Sequence, residues 1–193
     1  MDKINVVFIK YKFIFNKDIK HTSYTYQKVF RDIYGYNQNV TKNNNKVYKY
    51  FRKGIIYNIP YIKPGKNAII LPIGFEQELI KYFDSIKDIS DKYTLTYSIN
   101  KIDINKESVI QSFEKFINEF EIINLDNKNN LLIKELDYII NNNINNKNYL
   151  LYIIKQCEYI INLNWFDDIK DQSELITSFY NKYNIIKEKI NLI

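Results

Sequence analysis

The sequence predicts an α+β protein, with a small mixed sheet and two helices in its N-terminal half and an all-helical C-terminal half of about four helices. Three observations carry this. Runs rich in β-branched and aromatic residues mark strands at 4–15 and 93–99. Between them, two stretches repeat apolar residues at helical spacing. After residue 104 there is neither Gly nor Pro through Ile193, and apolar residues fall at helical spacing four times. The change of texture divides the chain into a basic α+β domain, 1–103, and a helical domain or extension, 104–193.

Residues 4–15 alternate in part after Phe8, as a strand does. Thr22 and Ser23 can cap a helix whose stripe is Tyr26, Val29, Phe30 and Ile33, and Gly35 is placed to end it. Residues 37–45 read as a polar turn. Lys46–Lys53 then alternates before Gly54, and 55–61 and 67–73 read as short strands punctuated by Pro60, Pro64, Gly65 and Pro72. From Gly74 a second helix carries Phe75, Leu79, Ile80, Phe83 and Ile86 on one face, with Glu76 and Glu78 suited to its first turn. Tyr93, Leu95, Tyr97 and Ile99 against Thr94, Thr96 and Ser98 form the clearest half-buried strand. The strand and helix order predicts that both helices cover one face of the sheet.

The four later stripes are Ile110, Phe113, Phe116, Ile117, Phe120; Leu132, Ile133, Leu136, Ile139, Ile140; Leu150, Leu151, Ile154, Cys157, Ile161; and Ile176, Phe179, Tyr180, Tyr183, Ile186, Ile190. Asn-rich connectors, 125–130 and 141–148, join them.

Composition excludes several classes of protein. Ile, Asn, Lys and Tyr supply 107 of 193 residues, and all four have AT-rich codons, so Lys and Asn enrichment points to an AT-rich genome before it points to function. No apolar run approaches the roughly 20 residues of a membrane span, and the N-terminus lacks the apolar core of a signal peptide. A cytoplasmic protein without membrane contact is expected. One Cys excludes an intrachain disulfide, and Cys157 with His21 cannot make a structural zinc site. No cofactor motif occurs: the Gly-x-x-x-x-Gly-Lys-Ser/Thr string of a P-loop is missing. The sequon Asn39-Val40-Thr41 is expected to be a polar loop.

Codon bias does not explain where charge falls. Residues 1–75 carry 14 Lys and Arg against 3 Asp, a net of +11, whereas 76–193 carry 14 Lys against 19 Asp and Glu, a net of −5. Nor does it explain why all ten Ala, Arg, Pro and Gly residues lie between Arg31 and Gly74. Turn geometry accounts for the Gly and Pro residues. The two Arg need another reason, because Arg, unlike Lys, is a planar fork that binds phosphate bidentately and stacks on rings.

Around them the chain is aromatic and basic. On a strand, Tyr48, Tyr50 and Arg52 share one face, and Lys49, Phe51 and Lys53 the other. Two Tyr and an Arg suit the stacking of unpaired bases, with nearby Lys on phosphates; the competing reading is that the Tyr residues cover the core. Lys63-Pro64-Gly65-Lys66 is a tight turn with two cations. The expected function is therefore non-enzymatic nucleic-acid binding, RNA favoured over DNA, with Arg31, Lys49, Arg52, Lys53, Lys63 and Lys66 on phosphate and Tyr48 and Tyr50 stacking. No catalytic or metal-binding residue is assigned.

Two alternatives belong to other classes. One is an assembly subunit docking a protein partner, or a second copy, through its C-terminal helices, with Ile122, Ile123, Ile144 and Ile193 exposed. The other is a metal-independent nuclease using His21 with Tyr and Lys groups. The acidic group Asp167, Asp168, Asp171 and Glu174 reads as helix capping, and Cys157 as a core thiol.

Overall fold

The computed structural model describes residues 2–41, 46–87 and 91–192. The protein mixes helix and strand in an α+β arrangement. It divides into two compact units, Val6–Ile102 and Asp103–Ile193 together with Met1–Asn5. The first unit carries 17 Lys and Arg against 7 Asp and Glu, a net of +10, and the second 11 against 15, a net of −4.

The basic unit is built on strand β1, Lys3–Phe15, whose odd-numbered residues from Val7 to Phe13 are buried. The sheet order is β4 (Ile62–Gly65), β5 (Ala68–Leu71), β1, β6 (Tyr93–Asn105). Its pairings are antiparallel rather than mixed. β5 pairs with β1 at Val7↔Leu71 and Ile9↔Ile69, and with β4 at Gly65↔Ala68. Where β1 and β6 enter the second unit their order also opposes: Lys106 N–H donates to Asp2 O and Asn5 Nδ2 to Asp103 Oδ1. A two-residue turn, Lys66–Asn67, joins β4 to β5 with no room for the crossover that a parallel pair needs. Pro64 sits on the edge strand, where its missing N–H costs no ladder bond.

Two helices cover one face of this sheet. Helix α1, Tyr24–Tyr34, starts where Ser23 Oγ accepts the Tyr26 N–H and ends at Gly35, φ +79°. Helix α2 runs Gln77–Lys87, three residues after Gly74 rather than from it, and Gly74 N–H donates to Glu76 Oε2. Val29 and Ile33 of α1 and Leu79 and Phe83 of α2 join Val7, Ile9, Tyr11 and Phe13 in one core. Asp32 ties the helices, accepting from Lys28 Nζ at 2.5 Å and from Tyr82 Oη at 3.0 Å.

Two expectations for this unit are corrected. Of the turn expected over 37–45, residues 37–41 instead belong to strand β2, Tyr36–Thr41, which pairs with β3, Val47–Arg52, in a separate hairpin, so the sequon lies in a strand; residues 42–45 lie outside the described ones. The polar side chains of β2 hide its strand pattern. Residues 55–61 are a turn at 55–58 followed by irregular chain, not a strand. Their N–H groups are used elsewhere: Ile55 donates to Asp32 O, Ile56 to Ile33 O, and Tyr57 to Gly54 O. Ile56 and Ile59 still enter the core.

The second unit is helical but not wholly so. It contains α3 (Lys106–Glu119), α4 (Leu132–Asn141), α5 (Lys147–Ile161), the short α6 (Phe166–Ile169) and α7 (Glu174–Asn191). A small antiparallel hairpin, β7 (Glu121–Ile123) with β8 (Asn129–Leu131), occupies the first predicted connector. Three-residue strands are too short to show a period of two. The buried stripes also shift: Val109 replaces Ile110 inside α3, and α5 buries Leu150, Ile153, Ile154, Cys157 and Ile160 while Leu151 is exposed. Asn127 and Asn143 adopt left-handed φ of 56° and 51° in the connectors, a region that Asn tolerates better than most residues. Trp165, the chain's one Trp, is fully buried, and its Nε1 has no partner among the described residues.

Glu135 is the buried acidic side chain among the described residues of this unit, 2% exposed, and its two oxygens accept from Asn130 Nδ2 and Tyr149 Oη at 2.7 Å each. Burial, followed by that hydrogen bond, pushes the Tyr149 hydroxyl well above the ordinary Tyr range, so it stays a donor. Asp167 and Asp168 lie in the first turn of α6 and Glu174 in that of α7, whose N-cap is Ser173. No helix among the described residues is long and apolar enough to cross a membrane.

Tyr149→Phe removes one of two donors to a buried carboxylate, and is expected to cost about 1.5–3 kcal/mol in denaturant unfolding. Burial pushes the Cys157 thiol up to about 12, so the folded protein should not react with a disulfide reagent at pH 8, and should react fully once unfolded.

Candidate nucleic-acid interface

The β2–β3 hairpin leaves α1 at Gly35 and returns to it at Gly54. Its register sets Tyr36 opposite Arg52, Gln38 opposite Tyr50 and Val40 opposite Tyr48, so these six side chains share one face. All six residues of β3 are exposed. The Tyr48 and Tyr50 rings stack with centroids 6.5 Å apart and planes at 24°. Next along the strand, Arg52 Nε donates to Gln38 Oε1 at 2.8 Å, which fixes its guanidinium on the same face.

Arg31 extends the row from the last turn of α1. Its guanidinium carbon lies 4.8 Å from the centroid of the Tyr36 ring, within cation–π range, and its Nη2 donates to Gln27 Oε1 one turn earlier. Arg31, Arg52, Tyr48 and Tyr50 thus form one aromatic and cationic row. Tyr36 and Gln38, which sequence reasoning missed, hold the two guanidinium groups in it. The signal for them was available only once β2 was known to be a strand.

The four Lys residues lie elsewhere. Lys49 is on the opposite face of the hairpin with Phe51, whose ring meets Tyr57 at 5.2 Å; Lys53 Nζ sits 4.5 Å over the same Tyr57 ring. Lys63 Nζ is 4.3 Å over Tyr34. Burial first, then a 2.9 Å hydrogen bond to Tyr11, raises the Tyr34 hydroxyl well above the ordinary range, so it is no base. Lys66 lies in the β4–β5 turn and lines a cleft that also takes in Lys12, Lys17 and His21.

Of the residues expected to be exposed on the helical unit, Ile122 is buried at 4% and Ile123 is exposed at 46%. Ile144 is half-buried. Ile193 lies outside the described residues. No group of three or more His, Cys, Asp and Glu among the described residues is placed to hold a metal ion.

The platform is fixed by close backbone contact. A Cβ on Gly54 would meet Gly35 N at 2.2 Å and Ile33 O at 2.5 Å, both backbone atoms that cannot swing aside. By contrast, a Cβ on Gly65 meets nothing within 4 Å. Gly54→Ala is therefore expected to lose about 1–3 kcal/mol or more in thermal or denaturant unfolding, whereas Gly65→Ala should stay within about 1 kcal/mol of the parent. Neither a family model, a curated protein sequence nor a solved structure matches this chain.

Proposed function

We propose that the protein binds single-stranded nucleic acid, RNA in preference to DNA, through the β2–β3 face and the end of α1, without catalysing a reaction. The observation that carries this reading is the exposed Tyr48–Tyr50 stack continued by Arg52 and by Arg31 on Tyr36. Planar rings receive unpaired bases, and planar guanidinium groups serve both phosphate and base. Unstacked bases of single strands are the usual targets of such surfaces in RNA-binding modules. The net of +10 on this unit supplies the long-range attraction for a polyanion. The helical unit, of opposite sign, takes no part in the contact.

The phosphate roles divide by place. Arg31 and Arg52 contact the backbone of bases stacked on Tyr48 and Tyr50. Lys49 and Lys53, on the far side of the hairpin, contribute charge without geometry.

Fluorescence anisotropy with a labelled single-stranded RNA tests this. The two phosphate contacts of Arg31 and Arg52 predict a weakening of about 7-fold between about 50 and 200 mM salt. Tyr50→Ala should weaken binding by about 5- to 100-fold, one stacked base being worth about 1–3 kcal/mol, with Lys49→Ala changing it far less. Affinity indifferent to salt, or unchanged in Tyr48→Ala with Tyr50→Ala, removes the platform as the binding site.

A further inference from the structure

We propose that the basic unit also holds a nucleoside monophosphate in a second place, the cleft lined by Lys12, Lys17, His21, Tyr26 and Lys66. This cleft encloses about 400 Å³, a size that admits one nucleotide. A second hollow of about 370 Å³ shares Tyr26, Lys66 and Asn67 with it and adds Lys63. No carboxylate among the described residues lines either one, and Lys12, Lys17 and Lys66 have no ion-pair partner among the described residues. Three or four lysines bordering one concavity, with no carboxylate among the described lining residues, make it favourable for an anion. That selects a phosphate.

The walls select what the phosphate is attached to. His21 and Tyr26 stack face to face, centroids 4.4 Å apart and planes at 9°. Tyr26 in turn meets Phe15 at 4.7 Å and Phe30 at 5.3 Å. One face of the His21 imidazole is covered by Tyr26 while the residue itself is exposed, so the other face is open to a planar ring. A base stacked there continues an existing ladder of rings. Asn67 lines the same space, and its side-chain oxygen is buried and without a partner among the described residues; an exocyclic amino group donating to it would satisfy that acceptor. Neither feature is explained by the hairpin platform.

Two sources share this chemistry, a free nucleotide and the phosphorylated end of a strand lying on the platform. The second rests on the nucleic-acid reading above; the first does not. Calorimetric titration of the Tyr48→Ala, Tyr50→Ala double variant, which removes the platform, with adenosine 5′-monophosphate tests the cleft alone. Binding is expected, with adenosine at least about tenfold weaker, since hydrogen bonds to charged groups contribute about 1.5–3 kcal/mol. In that background Lys12→Gln with Lys66→Gln should weaken the nucleotide by a similar factor, and His21→Ala should also weaken it. Because the replaced side chains are exposed, these variants are expected to fold, and circular dichroism verifies it. Competition between 5′-phosphorylated and 5′-hydroxyl RNA octamers then identifies the source: preference for the phosphorylated strand assigns a strand end, and equal binding assigns the free nucleotide. Failure of the nucleotide to bind, adenosine binding equally well, or indifference to the double Lys variant overturns the proposal, while leaving the Tyr48–Tyr50 test to stand by itself.

Discussion

The C-terminal end of α1 is the point on which the basic unit depends. A helix leaves its last carbonyls without internal partners, and here three of them are met by chain that follows: Arg31 O by Gly35 N–H, Asp32 O by Ile55 N–H and Ile33 O by Ile56 N–H. To deliver the last two, the backbone must return to within contact of the place it left, and only glycine at 35 and 54 lets it pass so close. The intervening segment therefore leaves and comes back, which makes an antiparallel hairpin the natural outcome. Its first residue, Tyr36, lands beside Arg31 of the helix's last turn. Cap, hairpin and platform are one construction.

This also explains what could be read in advance. The start and stop of α1 are legible because Ser23 and Gly35 are chemical signals local to it, and the face shared by Tyr48, Tyr50 and Arg52 follows from strand periodicity alone. The strand β2 was hidden because Asn37, Gln38 and Asn39 give it no apolar face, its stability coming from pairing with β3. Ile55 to Tyr61 misled for the opposite reason: its apolar content is real, but its amides are spent on α1 rather than on a ladder. The cleft was beyond sequence reasoning, because Lys12, Lys17 and His21 meet Lys66 only through the sheet order that brings β5 beside β1.

Composition and geometry meet in the connectors. In a chain with four Gly, the left-handed positions at 67, 127 and 143 fall to Asn, and Asn also caps α3 and α5 at 105 and 146. Asn, 27 of the 193 residues, thus does work usually given to Gly, Ser or Asp. Glycine persists where Asn does not fit: at 35 and 54 the obstacle is the Cβ itself.

Trp165 gives the molecule a built-in optical partition. The residue lies in the core of the helical unit, and the basic unit, with its stacked Tyr rings, has no Trp. Indole emission in an unlabelled sample therefore tracks the loss of one core, while phenolic absorbance and ellipticity weigh the other. Overlaying the two melting curves reveals whether the units unfold as one cooperative body or in succession, and a ligand that stabilises the basic unit alone would displace one curve and leave the other in place.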